Sequence, residues 1–280
     1  EHPLDRPEAT SYRFSLSQAS ETMRELVIAG RRIADDEPAY VVAELGQNHQ
    51  GQVKIGEKLI QAAAGCGVSA VKFQKRDNRT LYAPSLYDAP YEHEHSFGAT
   101  YGAHREALEL DRVAFEHLQG EAYLQNVACF ATAFDEASAD FLMDLKMPAI
   151  KIASGGLTDL QLLSHVARLK VPMIVSTGGG TYSDIDRASN EIAKVHTNFA
   201  LLHCTASYPC AWEELNLRCI SVMRERYPNI VIGWSGHDSG IAMALVAYTQ
   251  GARIIEKHFT LNRAMKGTDH AFSLEPTGMR

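Results

Sequence analysis

YVVAELGQNHQG, residues 40–51, decides between two folds. An apolar run rich in β-branched residues ends at Glu44-Leu45-Gly46, as a buried parallel strand should. A doubly wound sheet would follow its first strand with the phosphate loop G-x-G-x-x-G, and ELGQNHQG does not match it. The stretch therefore reads as the first strand of a sheet whose chemistry lies in its strand ends.

Seven more such runs follow: AVKFQK (70–75), ACFATAF (128–134), AIKIAS (149–154), PMIVST (172–177), FALLHCT (199–205), IVIGWS (230–235) and ARIIEKHF (252–259). Between most of them lie amphipathic stretches of helical period, among them KIGEKLIQAAAGC (54–66), EASADFLMDL (136–145), DLQLLSHVARL (159–169), DIDRASNEIAKV (184–195) and GIAMALVAYTQ (240–250). Strand and helix in strict alternation mean parallel βαβ units. Eight of them predict a (β/α)8 TIM barrel over residues 27–280. Upstream, residues 1–26 form an N-terminal extension in which LSQASETMREL (16–26) spaces apolar residues as a short helix. ELVIAGRRIADD (25–36) turns at Ala29-Gly30 and suits a hairpin. After the eighth strand only TGMR (277–280) follows the loop TLNRAMKGTDHAFSLEP, so the eighth helix is expected to be missing, its place covered by a partner or an extension.

The bulk numbers agree with an ordinary globular chain: 280 residues, 45% hydrophobic, 22% charged. A formal charge of −7 argues against a general nucleic-acid or anionic-membrane surface, leaving small molecules as partners. No apolar run approaches the roughly 20 residues that span a bilayer. Five cysteines without a CxxC pair, and a chain opening at Glu1 without a charged-then-apolar leader, give the expectation of a cytoplasmic protein.

In such barrels the reacting groups sit at the C-terminal ends of the strands. That rule alone selects Glu44, Lys72, Gln74, Thr132, Lys151, Ser154, Ser176, Thr177, His203, Thr205, Tyr208, Ser235, His237, Glu256 and His258. His237 and His258 end adjacent strands, and two imidazoles with water or substrate oxygens make an open site for a divalent metal acting as a Lewis acid. The competing reading holds each histidine by a hydrogen bond at the rim. Lys72 and Lys151 stand among apolar neighbours, where a lysine needs a partner. An anion cradled with the hydroxyls of Thr132, Ser154, Ser176 and Ser235, a Schiff-base lysine, and a salt bridge to Glu44 or Glu256 all remain open at this point. The connection 77–103, rich in aromatics and histidines, is long enough to suggest a lid.

AELGQNHQG, AVKFQKR, KIASG, STGG, HCTASYP, IGWSGHDSG, EKHFTL and KGTDHAFSLEP together make the chain resemble the sialic acid synthase family over about residues 27–277. The resemblance implies a transferase that condenses phosphoenolpyruvate with N-acetylmannosamine or a related N-acetylated hexose. The product would be a nine-carbon 2-keto-3-deoxy sugar acid, with release of phosphate. It implies a divalent metal, manganese with magnesium or cobalt as alternatives, on His237 and His258. It implies donor contacts at Lys72, Thr132, Lys151, Ser154, Ser176 and Ser235, and acceptor contacts at Glu44, Gln74, Tyr208 and Asp269, the last supplied by the resemblance alone. Glu44, Lys72, Lys151, His237 and His258 would be the catalytic set. The resemblance also implies a homodimer, a hairpin plugging the N-terminal end of the barrel, and a C-terminal antifreeze-like domain that this sequence does not contain. Where the family usually has an acidic residue two places after the serine of KIASG, this chain has Gly156. Two alternatives are a related synthase with another sugar acceptor and a catalytically weak sugar-phosphate-binding barrel.

Overall fold

The computed structural model describes residues 24–280. A two-residue turn at Ala29-Gly30 joins β1 (Glu25–Ile28) to β2 (Arg31–Ala34) as an antiparallel hairpin. Both turn residues have positive φ, 49° and 78°, as a twist-matched hairpin turn requires. The expected helix 16–26 lies mostly outside the described residues, but its last two positions are strand. Leu26 and Ile28 are buried while Glu25 and Val27 are exposed, a period of two that pairs Leu26 with Ile33.

Eight parallel strands then close on themselves: β3 (Tyr40–Gly46), β4 (Ala70–Lys75), β5 (Ala128–Ala133), β6 (Ile150–Ile152), β7 (Met173–Ser176), β8 (Phe199–Cys204), β9 (Val231–Gly236) and β10 (Ile254–His258), the last pairing with β3. The TIM barrel read from the sequence is the fold. Each of the eight apolar runs is a strand, AIKIAS and ARIIEKHF being trimmed most, to Ile150–Ile152 and Ile254–His258.

The inside and outside of the barrel follow from the pleat. Phe73 points outward and meets the Phe115 ring at 6.0 Å, in the helix Arg112–Leu124. Its neighbours Lys72 and Gln74 therefore point inward. Aspartates start three of the covering helices: Asp111, Asp135 and Asp159 accept from the backbone N–H of Ala114, Ser138 and Leu162. Such caps are worth about 1 kcal/mol each. Thr181 and Asp184 cap a fourth reciprocally.

The hairpin closes the N-terminal end. Arg24 and Arg224 converge on the Asp35 carboxylate, Arg253 donates to the Asp35 carbonyl, and Arg31 donates to Ser69 just before β4. In the position of an eighth helix stands one turn, Pro276–Met279. Pro276 accepts from the Cys66 thiol behind the helix Val53–Gly65, and Gly278 approaches Ile241 at the start of the helix Ala242–Thr249. The latter helix leaves Ile241, Leu245, Val246 and Tyr248 exposed beside it. Among the described residues no helix is long and apolar enough to cross a membrane.

Candidate active site

At the opposite, C-terminal mouth lies a cavity of about 420 Å3. All twelve residues singled out as catalytic or binding line it: Glu44, Lys72, Gln74, Thr132, Lys151, Ser154, Ser176, Tyr208, Ser235, His237, His258 and Asp269. Strand register explains the convergence, since Lys72 is the partner of Glu44, Thr132 of Lys151, and Ser235 of Glu256. Three strand-end residues are not brought in. Thr177 bonds its hydroxyl to the Leu202 carbonyl, His203 turns to the Leu215 carbonyl, and Thr205 contributes its backbone carbonyl to His237.

The floor is a buried charge cluster. Lys72 Nζ lies 2.6 Å from Glu44 Oε2 and donates to Thr132 Oγ1 at 2.7 Å. Lys151 Nζ donates to Ser176 Oγ at 2.7 Å. Between the lysines stands Glu256, with Oε1 3.7 Å from Lys72, 3.6 Å from Lys151, and accepting from Ser235 at 3.1 Å. Burial alone would raise Glu256, but Lys151 and Lys72 hold its carboxyl down at about 2. Burial lowers Lys151, whereas Lys72, also buried, is held above its ordinary value by Glu256 and Glu44. Burial drives Glu44 above the usual carboxylate range against the pull of Lys72. The salt-bridge reading of the lysines is thus realised without displacing the anion reading, because the same ammonium groups face the cavity.

His237 and His258 come together as strand adjacency requires, with ring centroids 5.4 Å apart. Burial and the neighbouring His258 push His237 down to about 3, and burial lowers His258 as well, which favours the neutral imidazole at both. The His237 Nδ1 faces the Thr205 carbonyl at 3.0 Å, which leaves Nε2 with a free lone pair. His258 Nδ1 has no hydrogen-bond partner and lies 3.6 Å from Asp269 Oδ2. Tyr208 and Phe272 pack around the two rings, at 4.1 Å from His237 and 4.9 Å from His258. Among the described residues no three His, Cys, Asp or Glu side chains form a metal cage. The donor set fits an open two-imidazole site completed by oxygens, not a closed structural one.

The remaining wall comes from the long excursion after β4. It folds into the short helices Asn78–Leu81, Pro84–Tyr87 and Tyr101–Ala107 around edge-to-face contacts of Tyr101 with Tyr82 and Tyr91. Its helix Tyr101–Ala107 sends Arg105 into the cavity, where Arg76, Gln47 and Thr268 also stand. Gly156 is not in this wall. It lines a neighbouring cavity, and a Cβ there would meet Ile152 Cγ2 at 2.9 Å.

The comparisons with known proteins converge on the same barrel. A family model described as the NeuB family matches residues 59–280. The chain belongs to the NeuB family. It is 40% identical over 255 residues to an N-acetylneuraminate-9-phosphate synthase of Drosophila melanogaster, covering 91% of this chain and 68% of that protein. An N,N'-diacetyllegionaminic acid synthase of Campylobacter jejuni is 36% identical over 244 residues, 86% of this chain and 73% of the relative. Among solved structures, the N-acetylneuraminic acid synthetase of Leptospira borgpetersenii superposes with a TM-score of 0.82 at 30% identity, covering 92% of this chain and 85% of that one.

The sequence alone offers Glu256 only as a strand end and a salt-bridge partner for a lysine, and gives no place to Arg76, Gln47 or Arg105. For two of them a signal existed. Glu256 lies two residues before His258, and Arg76 two after Gln74, so the pleat puts both on the cavity side. Arg105 comes from a helix inside the excursion, where no strand rule applies.

Proposed function

We propose that this NeuB-family protein is a phosphoenolpyruvate-dependent nonulosonate synthase, a transferase that joins the three-carbon donor to N-acetylmannosamine or a related aldose. The observation that carries the reading is the pair of buried lysines, Lys72 and Lys151, with serine and threonine hydroxyls on a cavity floor. That is a cradle for the carboxylate and phosphate of the donor. Thr132, Ser154, Ser176 and Ser235 complete it. Glu44, Gln74, Tyr208 and Asp269 hold the acceptor above.

A divalent ion on His237 and His258, manganese or alternatively magnesium or cobalt, would supply Lewis acidity toward the acceptor aldehyde. The protein's own residues do the rest. Lys72 and Lys151 hold the donor so that its C3 attacks C1 of the open-chain sugar, forming the new C–C bond. Glu44, ion-paired with Lys72 and accepting from Gln74, orients the acceptor, and the aldehyde oxygen takes up a proton that is balanced by the one released when water adds at C2. The cationic character left at C2 is met by water, and the resulting tetrahedral centre collapses to the ketone as phosphate leaves by C–O cleavage.

The test supplies phosphoenolpyruvate, manganese and a panel of aldoses, and follows inorganic phosphate together with the product mass. A nine-carbon 2-keto-3-deoxy acid is the expected product. A different sugar acid would assign the related-synthase alternative, and no phosphate with any aldose would leave a sugar-phosphate-binding barrel. Borohydride trapping of a substrate on Lys72 or Lys151 would replace the mechanism with Schiff-base chemistry.

A further inference from the structure

The two imidazoles at the mouth are not held alike. His258 lies inside β10 and keeps its ladder partner, Glu44 of β3. His237 stands one residue past the end of β9, whose last ladder pair with β10 is Gly236 with Lys257. Beyond it the chain runs irregularly through Gly240, at a φ of 105°, to the helix Ala242–Thr249, which has no side-chain cap. Backbone pairing therefore fixes one ring and leaves the other to its tethers. Two of these come from the loop after β8: the Cys210 amide donates to the His237 carbonyl at 3.0 Å, and the Thr205 carbonyl faces the ring Nδ1.

The third comes from the strand that carries His258. Glu256 and His258 line the cavity, so the pleat turns Lys257, between them, to the outside of the barrel. There its ammonium donates to the Asp238 carbonyl at 2.6 Å and to Asp238 Oδ1 at 2.8 Å. Both residues are buried, to 2% and 1% exposure. Asp238 Oδ2 has no hydrogen-bond partner, so the carboxylate leans on Lys257. The Trp234 ring backs the pair, 5.5 Å from the ammonium, and lies so close to Gly236 that a Cβ there would meet it at 2.1 Å.

Packing alone does not call for this pair. An apolar side chain at 257 would fill the same space without desolvating two charges, and a buried ion pair often adds no stability over such a replacement. What the ion pair adds is direction. It clamps the chain just past one strand end to the neighbouring strand on the outer face, while the adjoining residues, His237 and His258, present their rings on the inner face. We infer that Lys257 and Asp238 are positioning residues that set the separation of the two imidazoles, and with it their affinity for a divalent ion. The metal half of the inference rests on the proposed function; the spacing of the rings does not.

The experiment uses Lys257→Met alone and Lys257→Met combined with Asp238→Asn, with manganese alone as the probe. The single variant strands a buried carboxylate and should lose melting temperature or fail to fold, whereas the double variant leaves no lone charge and should lie closer to the wild type. Calorimetric titration should nonetheless show the manganese Kd of the double variant weakened on the order of 10- to 100-fold, the usual effect of losing a group that orients a metal ligand. At saturating manganese its KM for phosphoenolpyruvate should stay within about twofold, since neither residue lines the cavity. Nitrogen-15 spectra of the metal-free protein give a second measurement. The ring signals of His237 and His258, assigned by their loss in the alanine variants, should move in the double variant, and those of His49 and His203, buried elsewhere, should not. Wild-type manganese affinity in the folded double variant would overturn the inference. So would ring signals that stay in place, or that move equally at all four histidines, which would mark a general loosening. A wild type that binds no manganese would remove the metal reading, and the ring signals would then decide the positioning role by themselves.

Discussion

The two ends of the barrel handle charge in opposite ways. At the N-terminal end Arg24, Arg224 and Arg253 gather on one aspartate, Asp35, whose side chain is 37% exposed, and water shares the work. At the C-terminal mouth Lys72, Lys151, Glu44 and Glu256 are each buried to 4% exposure or less. There the charges balance, two against two, yet Glu256 Oε2 and His258 Nδ1 lack hydrogen-bond partners. The lower end keeps Arg24 Nε and the Tyr40 hydroxyl unmade, but neither faces the substrate cavity. One end is arranged to stay folded, and the other is arranged to be completed by something that arrives.

If that contrast is right, the largest effect comes from the imidazoles. His237→Ala or His258→Ala should cost turnover at least about 100-fold, with the melting temperature changed less than by a core truncation, because both rings, though buried, border the open cavity on one side. Restoration of activity by added metal in either variant, or unfolding of both, would break the comparison.

Lys72→Met should act on both function and stability. It removes the donor's cation and strands Glu44 beside Glu256, a loss of about 3 kcal/mol in a buried pair together with a raised KM for phosphoenolpyruvate. Denaturant midpoints and initial rates measured side by side check it. A stable variant with an unchanged KM would mean that the mouth does not depend on its internal balance.

The smallest effect belongs to the other end. Arg224 and Arg24 hold the Asp35 carboxyl below its ordinary value. A depressed carboxylate contributes stability that is full above its unfolded pKa of about 3.9 and is lost as pH falls through the folded value. Asp35→Asn should therefore cost about 1 kcal/mol or less at pH 7, discounted for its exposure. The difference from wild type should shrink as the pH falls through the depressed folded value, with turnover unaffected at neutral pH. A cost that persists undiminished in acid would show that Asp35 acts through packing and not charge.

How legible this was depended on which physical rule a residue obeys. The strands announced themselves because burial on both faces demands continuous apolar runs, and the pleat then put Lys72, Lys151, Ser235, His237 and His258 at one mouth without further information. Asp269 sits in an irregular loop after β10, where no period points inward, and only the resemblance supplied it. Arg105 needed the excursion to fold back across the mouth, a tertiary event set by contacts such as Tyr101 with Tyr82 and Arg105 with Gln47. The stretch 16–26 misled at Leu26 for the converse reason: its helical spacing was real, but pairing with Ile33 overrode it.

Gly156 cannot be substituted independently of Ile152. The turn Ser154–Gly156 is packed so that any side chain at 156 first strikes Ile152, and Ser154 in the same turn accepts from the Gly178 backbone. An acidic residue introduced at 156 alone would push the turn and drag Ser154 off Gly178. Removal of the Ile152 Cγ2 methyl, as in alanine, would relieve that contact. The cost of a side chain at 156 in this chain therefore depends on what stands at 152, so substitutions at the two positions should not add.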